Sequence, residues 1–360
     1  MATPGAGEPP RPTARPTLKA VAARAGVSFK TVSRVVNGEP GVSDGLAERV
    51  RTAADELGYR PDKGASALRR RDRRTATVGV LLQDLSNPFS AAVLRAVEDV
   101  AQARSVVVVA GSIEEDERLQ RDLVEELVAR RVDGLILAPV AADQSLPLAV
   151  RQAGPPVVFV DRAPAQDGAD AVVVDNVGGA RAATEHLLSH GHQRIAFFGD
   201  RPSITTATDR LAGYRAALHA AGVEPDPALV WMGPGSERAG YVATMRVLGL
   251  PEPPTAVFAA QNFLTMGALR ALAFRGDHHR VALVGFDDFP LADVLDPPVT
   301  VVAQDVAAVG RRAAQLLFAR LDGDASPPHV VRLPTQLVVR GSGEIAPVRS
   351  RRRPPRRSSR

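Results

Sequence analysis

Near the N-terminus, two short helix-forming segments are separated by a single glycine, and this pattern constrains the fold more than any other. Thr17 can cap a first helix with apolar residues at helical spacing, and Gly26 supplies the left-handed conformation that ends it. Ser28 can cap a second helix, whose valines face back onto the first helix. The spacing predicts a helix-turn-helix, whose second helix enters the major groove of DNA.

The outward, N-terminal side of the second helix carries the side chains that such a fold presents to DNA. We predict that Phe29 and Lys30 contact base edges, and that Arg34 contacts either a base or a phosphate. The predicted phosphate contacts are Ser28, Thr31, Ser33 and Asn37. Thr17, at the start of the first helix, belongs to the same predicted DNA-binding set.

This segment resembles the DNA-binding head of the lactose-repressor family of bacterial transcription regulators. The shared motifs are V-A-x-x-A-G-V-S-x-x-T-V-S-R-V-x-N at 21–37, V-S at 42–43 and E-L-G-Y-x-P at 56–61. A third helix, predicted at 45–57, brings Leu46, Val50 and Ala53 to one face and completes a three-helix core. Residues 17–61 are therefore predicted to form an all-α helix-turn-helix domain that binds double-stranded, pseudo-palindromic operator DNA as a homodimer.

Charge divides the chain unevenly. Residues 1–74 contain 15 basic and 8 acidic residues, whereas residues 75–348 contain 23 basic and 32 acidic residues. The last twelve residues add seven arginines and no acid. A basic head on an acidic body indicates that nucleic acid is the partner of the head.

Residues 62–74 are a basic linker by composition, and the resemblance implies a more specific role. In the family this segment forms a hinge helix on the operator, and a leucine, here Leu68, wedges into the minor groove. Asp62, Gly64 and Ser66 depart from the usual hinge pattern, and Gly64 lowers helix propensity.

From residue 77 onward, short β-branched runs alternate with helical patterns, which is typical of parallel α/β sheets. The order of elements resembles the family's two-lobe core, which is similar to periplasmic sugar-binding proteins. It implies three crossovers between lobes, near residues 174, 303 and 333. The predicted strands fall into two series: 78–82, 106–110, 134–138, 157–160 and 171–174, then 195–198, 229–232, 256–259, 281–284 and 299–302.

The predicted organisation has five parts. A disordered leader (1–16), the helix-turn-helix domain (17–61) and the hinge (62–74) precede an effector-binding and dimerisation core (75–344). Lobe 1 is expected at about 75–174 and 304–332, and lobe 2 at about 175–303 and 333–344. The basic residues 345–360 are expected to be disordered.

Polar residues follow several predicted strands, where ligands bind in open parallel sheets. They are Asp84, Asp161, Arg162, Gln261, Asn262 and Asp287. Carboxylates and guanidiniums that converge there suit a ligand with many hydroxyls, although a single Asp after a strand is more often a turn residue. Asp84, just ahead of Ser86-Asn87-Pro88, is the clearest example of that alternative.

The resemblance implies an effector, a sugar or sugar derivative, in this cleft. It assigns Phe89, Asp161, Arg210, Gln261 and Asp287 as the main contacts, and Thr206 and Arg162 as secondary ones. Where many relatives place an aromatic ring that stacks on the effector, this chain has Gly235. Ile204 stands where purine-binding relatives use an arginine, which argues against a purine.

These features predict a cytoplasmic transcriptional regulator that needs no cofactor and no metal. Because members of the family usually repress transcription, we expect it to be a repressor. The alternative is a solute-binding protein of a transport system, which would need export. The first residues lack the hydrophobic core expected of a signal peptide, and no apolar run approaches membrane-spanning length. An enzyme is disfavoured because nucleotide-binding glycine loops, the G-x-S-x-G elbow and H-E-x-x-H are missing from the sequence.

Overall fold

The computed structural model describes residues 16–36, 39–60, 74–140, 154–163 and 169–347. The chain divides into two compact units, Met1–Thr75 and Ala76–Arg360. The predicted leader, the hinge with Leu68 and the arginine-rich tail fall almost entirely outside the described residues, as does Asn37. They therefore stay predictions.

The first unit contains α1 (Leu18–Ala25), α2 (Phe29–Val36) and α3 (Asp44–Glu56). Two predicted end signals are confirmed. The Thr17 hydroxyl accepts a hydrogen bond from the Ala20 N–H at 3.3 Å, and Gly26 ends α1 with a φ of 64°. Val21, Val32 and Val50 form the centre of the small core. The prediction for Leu46 was wrong, because α3 buries Ala47 instead and leaves Leu46 half-buried and outside the core cluster.

The second unit is built on two six-stranded sheets. The first sheet contains β1 (Thr77–Leu82), β2 (Val107–Ser112), β3 (Gly134–Leu137), β4 (Val157–Val160), β5 (Asp170–Val174) and β11 (Val330–Leu333). The second contains β6 (Ile195–Gly199), β7 (Val230–Met232), β8 (Ala256–Ala259), β9 (Ala282–Phe286), β10 (Thr300–Gln304) and β12 (Thr335–Val338). Their strand orders are β11-β5-β4-β3-β1-β2 and β12-β10-β9-β8-β6-β7. Neighbours are parallel except that β12 runs antiparallel to β10.

Helices cover both faces of each sheet. The helices of the second unit are α4 (Pro88–Ala103), α5 (Glu117–Ala129), α6 (Asn176–Ser189), α7 (Thr205–Ala220), α8 (Glu237–Leu248), α9 (Asn262–Arg275) and α10 (Val306–Leu321). Helices α4 and α10 pack on one face of the first sheet and α5 packs on the other. The second sheet is enclosed in the same way by α6 and α7 on one face and by α8 and α9 on the other. Within the described ranges, no helix is long and apolar enough to cross a bilayer.

The chain passes between the sheets three times, after Val174, after Gln304 and at Pro334. We call the first sheet with α4, α5 and α10 lobe 1, and the second sheet with α6–α9 lobe 2. The predicted two-lobe α/β fold is confirmed, and each of the ten predicted strands lies within two residues of an observed one.

Two strands were not predicted from the sequence, namely β11 and β12. Both are sheet-edge strands of four residues, and the side chains of β11 alternate between exposed and half-buried. They therefore lack the continuous apolar run that marks a central parallel strand.

Helix α5 begins after two residues in a left-handed backbone conformation. Glu114 and Glu115 adopt φ values of 50° and 57°, and the Asp116 carboxylate caps α5 by accepting from the Arg118 and Leu119 N–H groups.

Helices α6 and α7 approach each other closely at Gly213. A Cβ at this position would lie 2.3 Å from the Val177 carbonyl oxygen and 2.9 Å from the Arg181 nitrogen, both of which are backbone atoms. Backbone cannot move aside cheaply, so only glycine fits this contact.

We expect Gly213→Ala to destabilise the core by about 1–3 kcal/mol through overpacking, in spite of the better helix propensity of alanine. Gly249→Ala is the matched control, because a Cβ there would meet other atoms only at 3.4 Å. Thermal unfolding followed by circular dichroism measures both changes. Equal melting temperatures for the two variants would show that the helix pair tolerates the added methyl group.

Candidate functional site

The first candidate site is the exposed surface of α2. Phe29 is 44% exposed although it is a large apolar residue, and Lys30 beside it is also exposed. The Ser28 hydroxyl accepts a hydrogen bond from the Thr31 N–H at 3.1 Å and lies 2.9 Å from the Thr31 hydroxyl. Ser28 therefore caps α2, as predicted, and the helix N-terminus remains open to solvent, where a phosphate can bind.

Arg34 and Ser33 are half-buried on the same helix. The Arg34 Nε lies 3.8 Å from the Glu39 carboxylate, a loose pair in contact with solvent that leaves the guanidinium able to turn to another anion.

The second candidate site is a cleft between the lobes, at the carboxyl ends of the central strands. Seven of the eight predicted effector contacts line it. They are Phe89, Asp161, Arg162, Thr206, Arg210, Gln261 and Asp287. The topology explains this convergence, because parallel strands end at the same edge of each sheet.

Asp84, the eighth predicted contact, does not line the cleft, and its assignment as an effector contact is corrected. Asn262, which was also named for its position after a strand, does not line the cleft either. The Asp84 carboxylate accepts hydrogen bonds from the Ser86 N–H and the Ser86 hydroxyl, both at 2.8 Å. The side chain thus closes a turn ahead of α4 and is not among the residues that line the cleft.

Four polar residues of the cleft were missed by the sequence analysis: Gln83, Asn87, Asp200 and Gln304. Three of them directly follow or end a strand, as Asp161 and Asp287 do. Their position after an apolar run was the available signal. Asn87 is different, because it is the N-cap residue of α4 and its side chain accepts from the Phe89 N–H at 2.9 Å.

Arg210 is the central cation of the cleft and is only 5% exposed. Its Nε donates to the Asn176 side-chain oxygen at 2.8 Å, and its Nη1 donates to the Ala260 carbonyl at 2.8 Å. The guanidinium also lies 3.7 Å from the centre of the Phe286 ring. These contacts fix the plane of the guanidinium. Its Nη2 has no acceptor among the described residues.

Asp287 faces Arg210 across 3.5 Å. Burial raises the pKa of Asp287, and the Arg210 charge and the hydrogen bond from the Gln304 amide oppose that rise. Asp287 also has a φ of 71°, which is uncommon for a residue with a side chain. The carboxylate is thus held in a costly position by partners on two other elements, a pattern typical of functional sites.

Arg162 lines the cleft, but its fork is occupied. Nη1 and Nη2 bind the Glu115 carboxylate at 3.0 and 2.6 Å, and Nη1 also donates to the Pro139 carbonyl. Its Nε lies 3.5 Å from the Asp161 carboxylate and makes no hydrogen bond. The terminal nitrogens of Arg162 are therefore committed to Glu115 and Pro139, and its contact with Asp161 is an ion pair without a hydrogen bond.

The two lobes meet at a pair of side-chain amides. The Asn262 amide nitrogen donates to the Asn87 oxygen at 2.8 Å, and the Asn87 nitrogen donates back to the Asn262 oxygen at 3.3 Å. Asn262 is fully buried at the start of α9, in lobe 2, whereas Asn87 caps α4 in lobe 1. The cavity between the lobes is about 40 Å³, far below the roughly 300–1,000 Å³ of typical ligand sites. A ligand of that size does not fit the cavity in this arrangement of the lobes.

The histidines near the end of α6 have protein partners. His186 Nε2 lies 2.5 Å from the Glu344 carboxylate, and His192 contacts the Thr255 hydroxyl and the Ile345 carbonyl. Burial lowers the pKa of His192. Among the residues that the structure describes, no group of three or more His, Asp or Glu side chains could hold a metal ion.

Comparison with known proteins identifies both units. Residues 17–62 match the family described as bacterial regulatory proteins, lacI family, and residues 184–343 match the periplasmic binding protein-like domain. The transcriptional regulator CelR of Thermobifida fusca is 37% identical over 341 residues, which cover 91% of this chain and 98% of CelR. The chain belongs to the lacI family.

Two solved structures of this family extend the match over both units. A lac repressor dimer bound to operator and the anti-inducer ONPF is 29% identical, with a TM-score of 0.81, over 91% of this chain and 99% of that one. A CelR–cellobiose complex is 36% identical, with a TM-score of 0.69, over 91% of this chain and all of that one. The present lacI-family member is therefore a DNA-binding transcriptional regulator and not an enzyme. The alternative of a transporter's solute-binding protein is discarded.

The amide pair generates a prediction about the lobes of this regulator. Asn262→Ala removes both hydrogen bonds to Asn87 and should let the lobes separate more often. Hydrogen exchange of the unliganded protein should then become faster in 83–89 and 261–265. Ser86→Ala is the matched control, because Ser86 lies in the same loop but bonds only to Asp84 in lobe 1. Equal protection of both variants would mean that the pair does not restrain the lobes.

Proposed function

We propose that this regulator binds a small carbohydrate between its lobes and that the bound carbohydrate changes its affinity for operator DNA. The observation that carries the proposal is a set of buried polar groups in the cleft with hydrogen bonds still to make. Gln304 Oε1 is buried and has no donor in the described part of the chain. Buried polar groups are ordinarily satisfied, so an unmet acceptor in a cleft supports a ligand.

The chemistry of the cleft suits a ligand with several hydroxyls. A hydroxyl both donates and accepts, and the cleft offers acceptors at Asp161 and Asp287 and a fixed donor at Arg210. The relative CelR has been solved in complex with cellobiose, which supports the same ligand class here. Ile204, which is buried in the wall of the cleft, gives no hydrogen bond to a purine and supports the preference for a sugar.

We further propose that the exposed face of α2 binds operator DNA. Phe29 and Lys30 would contact bases, and Arg34 would contact a base or a phosphate. Phosphates would be held by Thr17, Ser28, Thr31, Ser33 and Asn37. The hinge at 62–74 would carry Leu68 into the minor groove.

A homodimer on a pseudo-palindromic operator is part of the proposal, because one helix-turn-helix covers one half-site. The lac repressor relative, solved as a dimer on its operator, supports it. Phe274, Leu291 and Val294 are each more than two-thirds exposed, as expected of apolar residues that a partner subunit covers. The proposed site of action is the cytoplasm, and the proposed outcome is repression.

Closure of the lobes around the carbohydrate would control DNA binding. A ligand shifts a conformational equilibrium only by its difference in affinity for the two states. Arg210 and Asp287 lie on lobe 2, whereas Asp161 and Phe89 lie on lobe 1. A ligand held by both groups would therefore bind the closed arrangement more tightly than the open one, and this difference would be transmitted to the head.

The DNA-binding assignment is tested by selecting operators from random DNA. Changing both Phe29 and Lys30 to Ala should alter the selected consensus, with a loss of about 1–3 kcal/mol for each base contact removed. Lys19→Ala serves as the control, because Lys19 is an exposed cation on α1 outside the predicted contacts. If the double variant and the wild type select the same consensus, Phe29 and Lys30 do not specify the operator.

The effector assignment is tested with two adjacent aspartates. Asp287→Ala should bind the selected operator like wild type and ignore the carbohydrate that changes wild-type binding, because it loses a buried charged contact. Asp288→Ala is the control: Asp288 points to Arg340, which binds it in a bidentate ion pair and lowers its pKa. Titration of the operator with and without carbohydrate measures both variants. An Asp287 variant with a wild-type response would remove Asp287 from the site.

A further inference from the structure

Asp200 occupies one end of the cleft and is held there by backbone donors. It directly follows β6, and its Oδ1 accepts hydrogen bonds from the Arg201 N–H at 2.7 Å and the Gly235 N–H at 3.1 Å. These two bonds fix the direction of the carboxylate. Its Oδ2 accepts no hydrogen bond from any described residue, although an ionised carboxylate can accept several.

Gly235 and the Asp200 carboxylate depend on each other. A Cβ at position 235 would lie 2.3 Å from Asp200 Oδ2 and 2.9 Å from its Cγ. No side chain at 235 can coexist with the carboxylate in this position. Gly235 therefore does not simply remove a stacking ring from the cleft. It also makes room for the Asp200 carboxylate, a charged acceptor, in part of the space that a side chain would fill.

The charges around the cleft favour a ligand that donates hydrogen bonds over an anionic ligand. Its lining contains three carboxylates, Asp161, Asp200 and Asp287, and two guanidiniums, Arg162 and Arg210. One guanidinium is bound by a further carboxylate, Glu115. Burial raises the pKa of Asp200, because its ionised form has lost water that the two backbone donors replace only in part. A donor from a ligand would restore part of this solvation, whereas an anion would meet like charge.

We propose that Asp200, positioned by Gly235, is a specificity-determining contact that accepts a hydrogen bond from a hydroxyl or ammonium group of the effector and disfavours anionic ligands. This inference rests on the proposed carbohydrate effector. Relatives with an aromatic ring at the position of Gly235 contact the flat face of the effector there. In this chain, Asp200 would instead contact a polar substituent of the effector at the β6 end of the cleft.

The test uses the full chain and two sets of probes, one of disaccharides and one of pentoses, and the members of each set share a skeleton and differ in charge. The probes are cellobiose, the β-1,4-linked disaccharide of glucosamine, cellobiose 6-phosphate, ribose and ribose 5-phosphate. A bound probe raises the melting temperature, and calorimetry then gives its affinity. We expect stabilisation by neutral or amino sugars and none by the phosphorylated probes.

Asp200→Asn keeps the shape of the side chain and removes its charge. It should weaken the best probe on the order of tenfold or more, as expected for loss of a hydrogen bond to a charged group, and narrow any preference for the amino sugar over cellobiose. Gly235→Ala should weaken the same probe by displacing the carboxylate. Gly235→Ala should also lower the melting temperature of the unliganded protein. The double variant Asp200→Ala/Gly235→Ala should restore that temperature, because the carboxylate that clashes with a Cβ at position 235 has been removed.

The outcomes separate the possible roles of Asp200. If Asp200→Asn lowers only the melting temperature of the unliganded protein and leaves probe affinities unchanged, Asp200 merely tethers the loop at Gly235. Stabilisation of the wild type by a phosphorylated probe also overturns the proposal. If no probe binds the wild type, the proposal of a carbohydrate effector is contradicted, and the proposed Asp200 contact is contradicted with it. If probes bind but Asp200→Asn does not affect them, only the present inference fails.

Discussion

A buried guanidinium, that of Arg210, organises the ligand-facing edge of lobe 2. It joins α7 to the first residue of α6, to the carbonyl after β8 and to the carboxylate after β9, and it stacks on Phe286. A charge at this depth is tolerated only because each of these groups offsets part of its lost hydration. Removing one partner of such a pair typically costs about 3–5 kcal/mol, because the other charge stays buried without compensation. The geometry of the cleft is therefore set by solvation as much as by packing.

The sequence was informative where the determinants of structure are local. Thr17 and Gly26 mark the ends of α1 by side-chain capping and left-handed backbone, both of which depend on a few neighbouring residues. The central strands were found because burial on both faces leaves a continuous apolar run. The edge strands β2 and β7 also carry apolar runs and were found, whereas Arg332 and Gln336 interrupt the short edge strands β11 and β12, which were missed.

The cleft was predicted less completely, because the role of a polar residue after a strand depends on contacts that are distant in sequence. Asp84 and Asp200 both follow strands, yet one bonds to a serine two residues away and the other to Gly235. The residues near Asp200 in the sequence do not indicate that a glycine 35 residues later leaves room for its carboxylate. Arg162 shows the same limit, since its commitment to Glu115 joins segments 47 residues apart.

The third crossing between the lobes consists of Pro334 alone, placed between β11 of one sheet and β12 of the other. The proline ring fixes φ, so this crossing keeps little rotational freedom of its own. Both neighbours of Pro334 are held in sheet ladders, which leaves one backbone angle between two rigid bodies. The crossings after Val174 and after Gln304 also join the lobes. We expect Pro334 to act with them as a stiff joint, so that ligands of different shape would move the lobes in similar directions and differ mainly in how far they move them.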